Sequence, residues 1–273
     1  MSLIPEEIES YYLQTKESER LTNEWGELER LRTQAILARY LPPVPAIIFD
    51  VGGAAGVYSL PLAQQGYEVH LIDPVDLHLE QARAHATKSG VALASITQGD
   101  ARRLEVPSSS ADAVLLLGPL YHLIERSDRI EALRESRRIL KHRGVLLAAS
   151  ICRFASLIDG LSRGFFRDAE FRKIVAADLA CGRHCNPTNE LAYFTTAYFH
   201  RPEELTAEVG EAGFDDVQIL SVEGPAWSTT FFCQTWDDAV QRERLMEFLS
   251  LIEREPSIHG ASAHLIATAH RSS

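Results

Sequence analysis

The feature that most constrains this chain is one run, IIFDVGGAAGVYSLPLA from Ile47 to Ala63, in which apolar residues suited to a buried strand end in Asp50 and pass into a glycine-rich turn and a helix-compatible segment. Units of this kind stack into parallel sheets covered by helices. Gly52 and Gly53 let the turn tighten and the backbone approach a ligand. The helix start adds unpaired N–H groups and the positive end of its dipole. A ligand with a nucleotide-like part suits such a place. The turn departs from the dinucleotide fingerprint G-x-G-x-x-G, because Ala54 stands two places after Gly52, and Gly53 and Gly56 complete no such pattern.

A second apolar run, YEVHLID, follows Gly66 and ends in Asp73, roughly 20 residues past the first turn, where ribose-binding acids stand in nucleotide-binding βαβ units. A third, VALASIT, leads into Gly99, Asp100 and Ala101. A fourth, ADAVLLLGPLYHL, breaks at Gly118 and Pro119 and delivers Tyr121 and His122 just beyond its end. Ligands of open α/β sheets bind beyond the carboxyl ends of the strands, so all four features belong to one edge.

Taken in order, DVGGAAG, HLIDP, GDARRL, ADAVLLLGPLYHL and RRILKHRGVLLAAS resemble the class I S-adenosylmethionine-dependent methyltransferases, over the stretch from Leu41 to His270. The resemblance implies an α/β fold: a three-layer, Rossmann-like arrangement around a seven-stranded sheet whose last strand is antiparallel. The tail agrees, since GFDDVQILSVEGPAW and ASAHLIATAHR read as strands separated by the helical WDDAVQRERLMEFLSLIERE. It implies S-adenosylmethionine as cofactor and S-adenosylhomocysteine as product. On that basis Gly52, Gly53 and Gly56 would admit the methionine moiety, and Asp50 would bond loop N–H groups or reach the cofactor ammonium through water. Ala54 replaces the family's usual middle glycine and brings a methyl group to the methionine end. Asp73, followed by Pro74, would accept both ribose hydroxyls, with a helix N-cap as its competing role. Asp100 would accept the adenine amine and the Ala101 N–H would meet a ring nitrogen, against a plain turn. Leu117 and Gly118 would lie near the sulfonium, against core packing for Leu117.

Methyl transfer from a sulfonium is an in-line displacement, so the protein's task is alignment and exclusion of water, and a base is optional. For a hydroxyl or protonated amine acceptor, His122 is the best-placed base because an imidazole titrates near neutrality, and Tyr121 would position the acceptor. The competing readings are a satisfied histidine beside a helix start and a simple pocket wall. Tyr11 and Tyr12, about two and a half helical turns upstream of Arg20, would close over the cofactor. The Arg20 fork would then pair with its carboxylate, against a surface ion pair. Two other functions stay open. One is a catalytically inactive cofactor-binding or scaffold protein, motivated by Ala54 and the lack of an assured base. The other is a nicotinamide-dependent oxidoreductase, which shares the acid after the second strand but lacks the glycine spacing.

With 273 residues, 45% of them hydrophobic, the chain can bury one α/β core with additions. Residues 1–42 are expected to form a helical lid segment and residues 43–273 the catalytic domain, with a helical insertion at 154–200 that chooses the substrate. The spacing predicts helices from Asp76 to Lys88 and from Ser127 to His142. A net charge of −11 argues against a chain that grips phosphate backbones, so no nucleic-acid partner is expected. The basic run RESRRILKHRG reads as a solvated helix face. The expected partner is a small-molecule methyl acceptor, and oligomeric state is left open. Four scattered cysteines and the absence of a charged, apolar leader point to the cytoplasm. No apolar run approaches the roughly 20 residues that cross a bilayer, so no membrane partner is expected. CGRHC, Cys181 to Cys185, lacks the second pair a structural metal site uses, so no metal is expected.

Overall fold

The computed structural model describes residues 3–15, 23–188 and 190–272. Two helices open it, α1 (Glu6–Gln14) and α2 (Glu24–Tyr40), the second capped by the Asn23 side chain, which accepts from the Gly26 N–H. Then follow β1 (Ile47–Val51), α3 (Ser59–Gln64), β2 (Glu68–Asp73), α4 (Asp76–Ser89), β3 (Ser95–Gln98), β4 (Ala111–Leu116), α5 (Pro119–His122), α6 (Arg126–Ile139) and β5 (Leu140–Cys152). The insertion holds α7 (Ala155–Arg163), α8 (Ala169–Cys181), β6 (Arg183–His184) and β7 (Ala197–His200). The tail is α9 (Pro202–Glu211), β8 (Phe214–Ser221), α10 (Phe232–Asp237), α11 (Ala239–Ile252) and β9 (His264–Arg271).

Strands β3, β2, β1, β4 and β5 lie side by side in that order and parallel. Strand β9 runs antiparallel to both β5 and β8, which completes the expected seven. The sheet nevertheless has nine strands. Strand β5 is 13 residues long; β9 accompanies it to Ile151 on one side, but on the other its pairing with β4 stops at Ala148. Its free tip is taken by β7, which pairs parallel through Ile151 with Phe199 and Cys152 with His200, and β6 pairs antiparallel with β7. The segment 154–200 is therefore only partly helical. Its short strands satisfy backbone groups that an overlong β5 would leave bare.

Parallel strands covered on both faces bury side chains in both directions. In β4, Val114 and Leu116 join a cluster with Leu133, Leu146 and Leu205, whereas Leu115 joins one with Ile36, Ile48, Leu62 and Leu220 on the other face. Helix α2 supplies Ile36 and Leu37 to that second cluster, and buried Arg32 donates from Nε to the Val222 carbonyl at 3.0 Å and from Nη2 to Glu253 at 2.5 Å. The segment 1–42 thus divides: α2 is part of the core, and α1 lies over the ligand edge. No helix among the described residues is long and apolar enough to cross a membrane.

The predicted basic helix face is largely engaged: Arg138 bonds Glu135 and the carbonyls of Leu104 and Val106, Arg137 the carbonyl of Gly213, and Lys141 bonds Asp112. Deeper, Arg129 of α6 meets Glu208 of α9 through two bonds of 2.9 and 2.7 Å, and His200 Nε2 lies 3.2 Å from the same carboxylate. Burial pushes the Glu208 carboxyl up, but His200 and Arg129 outweigh it and hold it at about 2. A carboxyl held low stabilises the fold above its ordinary value of 4.5, and that contribution should fade as pH falls from 4.5 towards 2. Glu208→Ala strands a buried guanidinium, so urea denaturation at neutral pH should show a loss of about 3–5 kcal/mol.

Candidate functional site

The carboxyl ends of β1, β2, β3 and β4 surround a cavity of about 300 Å³. Gly52 and Ala54 line it after β1, Asp73, Pro74 and Val75 after β2, Gly99 to Arg102 after β3, and Gly118, Pro119, Tyr121 and His122 after β4. Helix α1 closes the remaining side with Ile8 and Tyr12, preceded by Ile4 and Pro5.

The turn after β1 needs its glycines. Gly52 has φ +76°, and a Cβ there would stand 2.6 Å from the Pro119 ring. Ala54 adopts φ +45°, a left-handed conformation that costs an L-residue about 1–2 kcal/mol. Its N–H donates to Asp73 Oδ2 at 2.9 Å, which holds the strained turn against the end of β2. Alanine therefore follows the backbone path open to the expected glycine. Gly53 and Gly56 shape the turn from behind: a Cβ on Gly53 would lie 2.9 Å from Asp50 Oδ2, and the Gly56 N–H donates to the Gly53 carbonyl at 2.9 Å. Neither forms part of the cavity lining.

Asp50 is buried under this turn. The Ser59 hydroxyl donates to its Oδ2 at 2.6 Å, while Oδ1 has no hydrogen-bond partner among the described residues. Burial pushes this carboxyl up to about 6, opposed by the Ser59 bond and reinforced by the charge of Asp73. Asp73 is not the N-cap of α4, which is Val75. Its Oδ1 accepts the Val75 N–H and lies 3.0 Å from His78 Nδ1, both at the start of α4, and the residue lines the cavity. Asp100 stands at the cavity wall with both oxygens held by Arg102 at 2.6 to 3.0 Å, and Ala101 lines the same wall.

On the fourth strand end the Tyr12 hydroxyl lies 2.6 Å from His122 Nε2. The other ring nitrogen, Nδ1, is buried without a hydrogen-bond partner among the described residues. Burial lowers the imidazole to about 4, against the opposing pull of the Thr196 backbone and the Asp73 charge. Tyr121 packs edge-on against His122 at 4.7 Å between centroids. Tyr11 sits behind Tyr12, with ring contacts of 5.5 Å to Tyr12 and 5.3 Å to Phe194.

Leu117 is a correction to the expected site, because it packs against the cluster of Ile36, Leu115 and Leu220 and does not line the cavity. A β-strand sends alternate residues to opposite faces, and the position before Gly118 faces the core. Arg20 lies outside the described residues. In CGRHC both nitrogens of buried His184 are engaged, by Asp178 at 2.9 Å and the Tyr193 carbonyl at 2.8 Å, while Cys181 and Cys185 are exposed.

A family model described as a methyltransferase domain matches residues 48–144, the stretch that builds most of this cavity. Residues 48–144 thus carry the sequence pattern of a methyltransferase domain. It is similar to a ubiquinone biosynthesis O-methyltransferase of Azorhizobium caulinodans, 30% identical over 68% of this chain and 65% of that protein. It is also similar to a ubiquinone/menaquinone biosynthesis C-methyltransferase of Caulobacter sp. (strain K31), 32% identical over 45% of this chain and 50% of that protein. The chain thus spans about half to two thirds of the length of these relatives. Among solved structures, a SAM-dependent methyltransferase of Methanosarcina mazei superimposes with a TM-score of 0.58 at 18% identity, covering 87% of this chain and 97% of its own, a likeness of fold.

At this cavity, sequence reasoning missed His78, Arg102 and the apolar residues Ile4 and Ile8. Ile8 and Tyr12 stand four apart on one face of α1, a spacing that could have marked them. His78 had no such signal, since only the turn between β2 and α4 brings it back to Asp73. Gly52→Ala should test the turn. Forcing a Cβ against Pro119 is expected to cost about 1–3 kcal/mol in denaturant melts and to weaken binding of S-adenosylhomocysteine by calorimetry.

Proposed function

We propose that this protein is an S-adenosylmethionine-dependent methyltransferase acting on the oxygen or nitrogen of a small-molecule acceptor. One observation carries the reading. Three buried polar atoms, Asp50 Oδ1, His78 Nε2 and His122 Nδ1, lack hydrogen-bond partners among the described residues and belong to residues in or directly beneath one cavity at the strand ends. An unpaired buried polar group costs about 1–3 kcal/mol, so such a concentration supports a polar ligand that completes them.

The residues fit this cofactor. Asp50 offers negative charge beneath the glycine turn for an ammonium group, Asp73 offers a hydroxyl acceptor, and the Ala101 backbone stands where an adenine is expected, the Asp100 oxygens being already taken by Arg102. Bound there, S-adenosylmethionine supplies a methyl group already activated by its sulfonium. What remains for the chain is orientation, exclusion of water and care of the acceptor's proton. Helix α1 excludes water with Ile8 and Tyr12. The Tyr12 hydroxyl, held 2.6 Å from His122 Nε2, orients the imidazole and links it to the cavity.

His122 is the base. Burial lowers it to about 4, so at physiological pH it is neutral, a weak base whose Nε2 can take the acceptor's proton through or beside Tyr12. Phe194, whose ring lies 6.0 Å from that of His122, brings the insertion 154–200 to the same place and makes it the acceptor-selecting wall. The curated relatives are named for O- and C-methylation of quinone precursors, and a neutral base beside an aromatic wall supports an acceptor bearing a hydroxyl or amine on a flat apolar body.

Calorimetric titration with S-adenosylmethionine and S-adenosylhomocysteine is expected to give micromolar binding that Asp73→Ala abolishes; absence of binding to either ligand would sink the reading in favour of an inactive scaffold. With labelled cofactor and a panel of phenols and amines, His122→Asn should lower kcat about 10²–10⁴-fold while cofactor affinity stays within a few-fold. The pH profile of kcat should show no step from His122 near 6.5 and should fall only as pH drops towards 4, where the imidazole takes up its proton.

A further inference from the structure

A carboxylate offers about four lone-pair sites, two on each oxygen. At Asp73, Oδ1 already accepts the Val75 N–H and His78 Nδ1, and Oδ2 accepts the Ala54 N–H. One site is left, on Oδ2. Asp73 can therefore take one hydroxyl of a ribose and not both, so a second acceptor has to stand beside it.

His78 has the required chemistry. A carboxylate accepts, so the hydrogen of the 3.0 Å contact is assigned to His78 Nδ1, and in the tautomer so fixed Nε2 is the acceptor. The side chain is 4% exposed, Nε2 has no partner among the described residues, and His78 lines the same cavity as Asp73. The Tyr12 ring stands edge-on to the imidazole at 5.0 Å, which shields it on the α1 side. A buried, unpartnered acceptor on a residue that lines a ligand cavity selects a ligand with a donor in reach, and a hydroxyl next to the one on Asp73 Oδ2 is that donor.

We propose that His78 is a cofactor-recognition residue: the ribose diol is divided between Asp73 Oδ2 and His78 Nε2. The same arrangement makes Asp73 a positioning group for His78, because its carboxylate selects the tautomer that leaves Nε2 free to accept. The proposal rests on the cofactor reading above, and the experiment separates the two.

The test is calorimetric titration of wild type and His78→Asn with S-adenosylhomocysteine, its 2′-deoxy and 3′-deoxy analogues, and its inosyl analogue. Asparagine keeps an N–H towards Asp73 and lacks the Nε2 acceptor. The expected result is about a tenfold loss for S-adenosylhomocysteine in the variant, in the range of one good hydrogen bond. One deoxy analogue should bind wild type about tenfold more weakly than the parent and bind the variant as well as the parent does. In the wild-type protein, ¹⁵N NMR should show the His78 Nε2 resonance moving on addition of S-adenosylhomocysteine and not on addition of that analogue, which keeps the test decisive if the variant fails to fold. Wild-type affinity in the variant, equal losses for both deoxy analogues in both proteins, or coupling of His78 to the inosyl change instead would each overturn the assignment. Wild type that binds neither the parent nor any analogue would overturn the cofactor reading, and His78 with it.

Discussion

The carboxylate of Asp73 is the tie on which the ligand edge depends. Its two oxygens gather the turn after β1 through Ala54, the start of α4 through Val75, and the imidazole of His78. The first of these belongs to the turn after β1 and the other two to the start of α4. Ala54 stays left-handed against its own preference because a charged acceptor waits for its N–H. One buried side chain thus fixes the height of the glycine turn, the direction of the helix and the tautomer of a histidine.

Charge around this tie is uneven by design of the packing. Asp50 and Asp73 repel one another across the turn, and burial leaves Asp50 the weaker acid, pushed up to about 6. Across the cavity, His122 is driven the other way by the same cause, towards about 4. Burial disfavours whichever form is charged, so it raises acids and lowers bases, and at pH 7 the Asp50 carboxyl is still mostly ionised while the His122 imidazole is neutral. Away from the cavity, the Arg129–Glu208–His200 group shows the opposite outcome, where a complete set of partners keeps the carboxylate charged despite burial.

Much of this architecture was legible from local pattern. The runs IIFDV, EVHLID and ADAVLL are strands in the structure, and the glycine turn, Asp73, Asp100 and His122 all stand at the edge expected of them. Continuous apolar runs and strand-end acids are written in neighbouring residues, so they can be read without knowing the fold. The extra strands β6 and β7 were not legible, because two to four residues carry too little pattern and form only where β5 overruns its neighbours. Leu117 misled for a related reason: one position along a strand exchanges the cavity for the core.

Sequence alone determined the class of fold, the edge where a ligand binds and the residue types present there, since these follow from periodicity, turn chemistry and strand ends. Only the tertiary structure decided how those residues share their bonds. Groups from the turn after β1 and from the start of α4 meet at Asp73, Tyr12 meets His122 across 110 positions, and Arg102 occupies the acid expected to face an adenine. A hydrogen bond depends on angstroms and angles between distant segments, and an atom's spare capacity is known only when every neighbour has been counted.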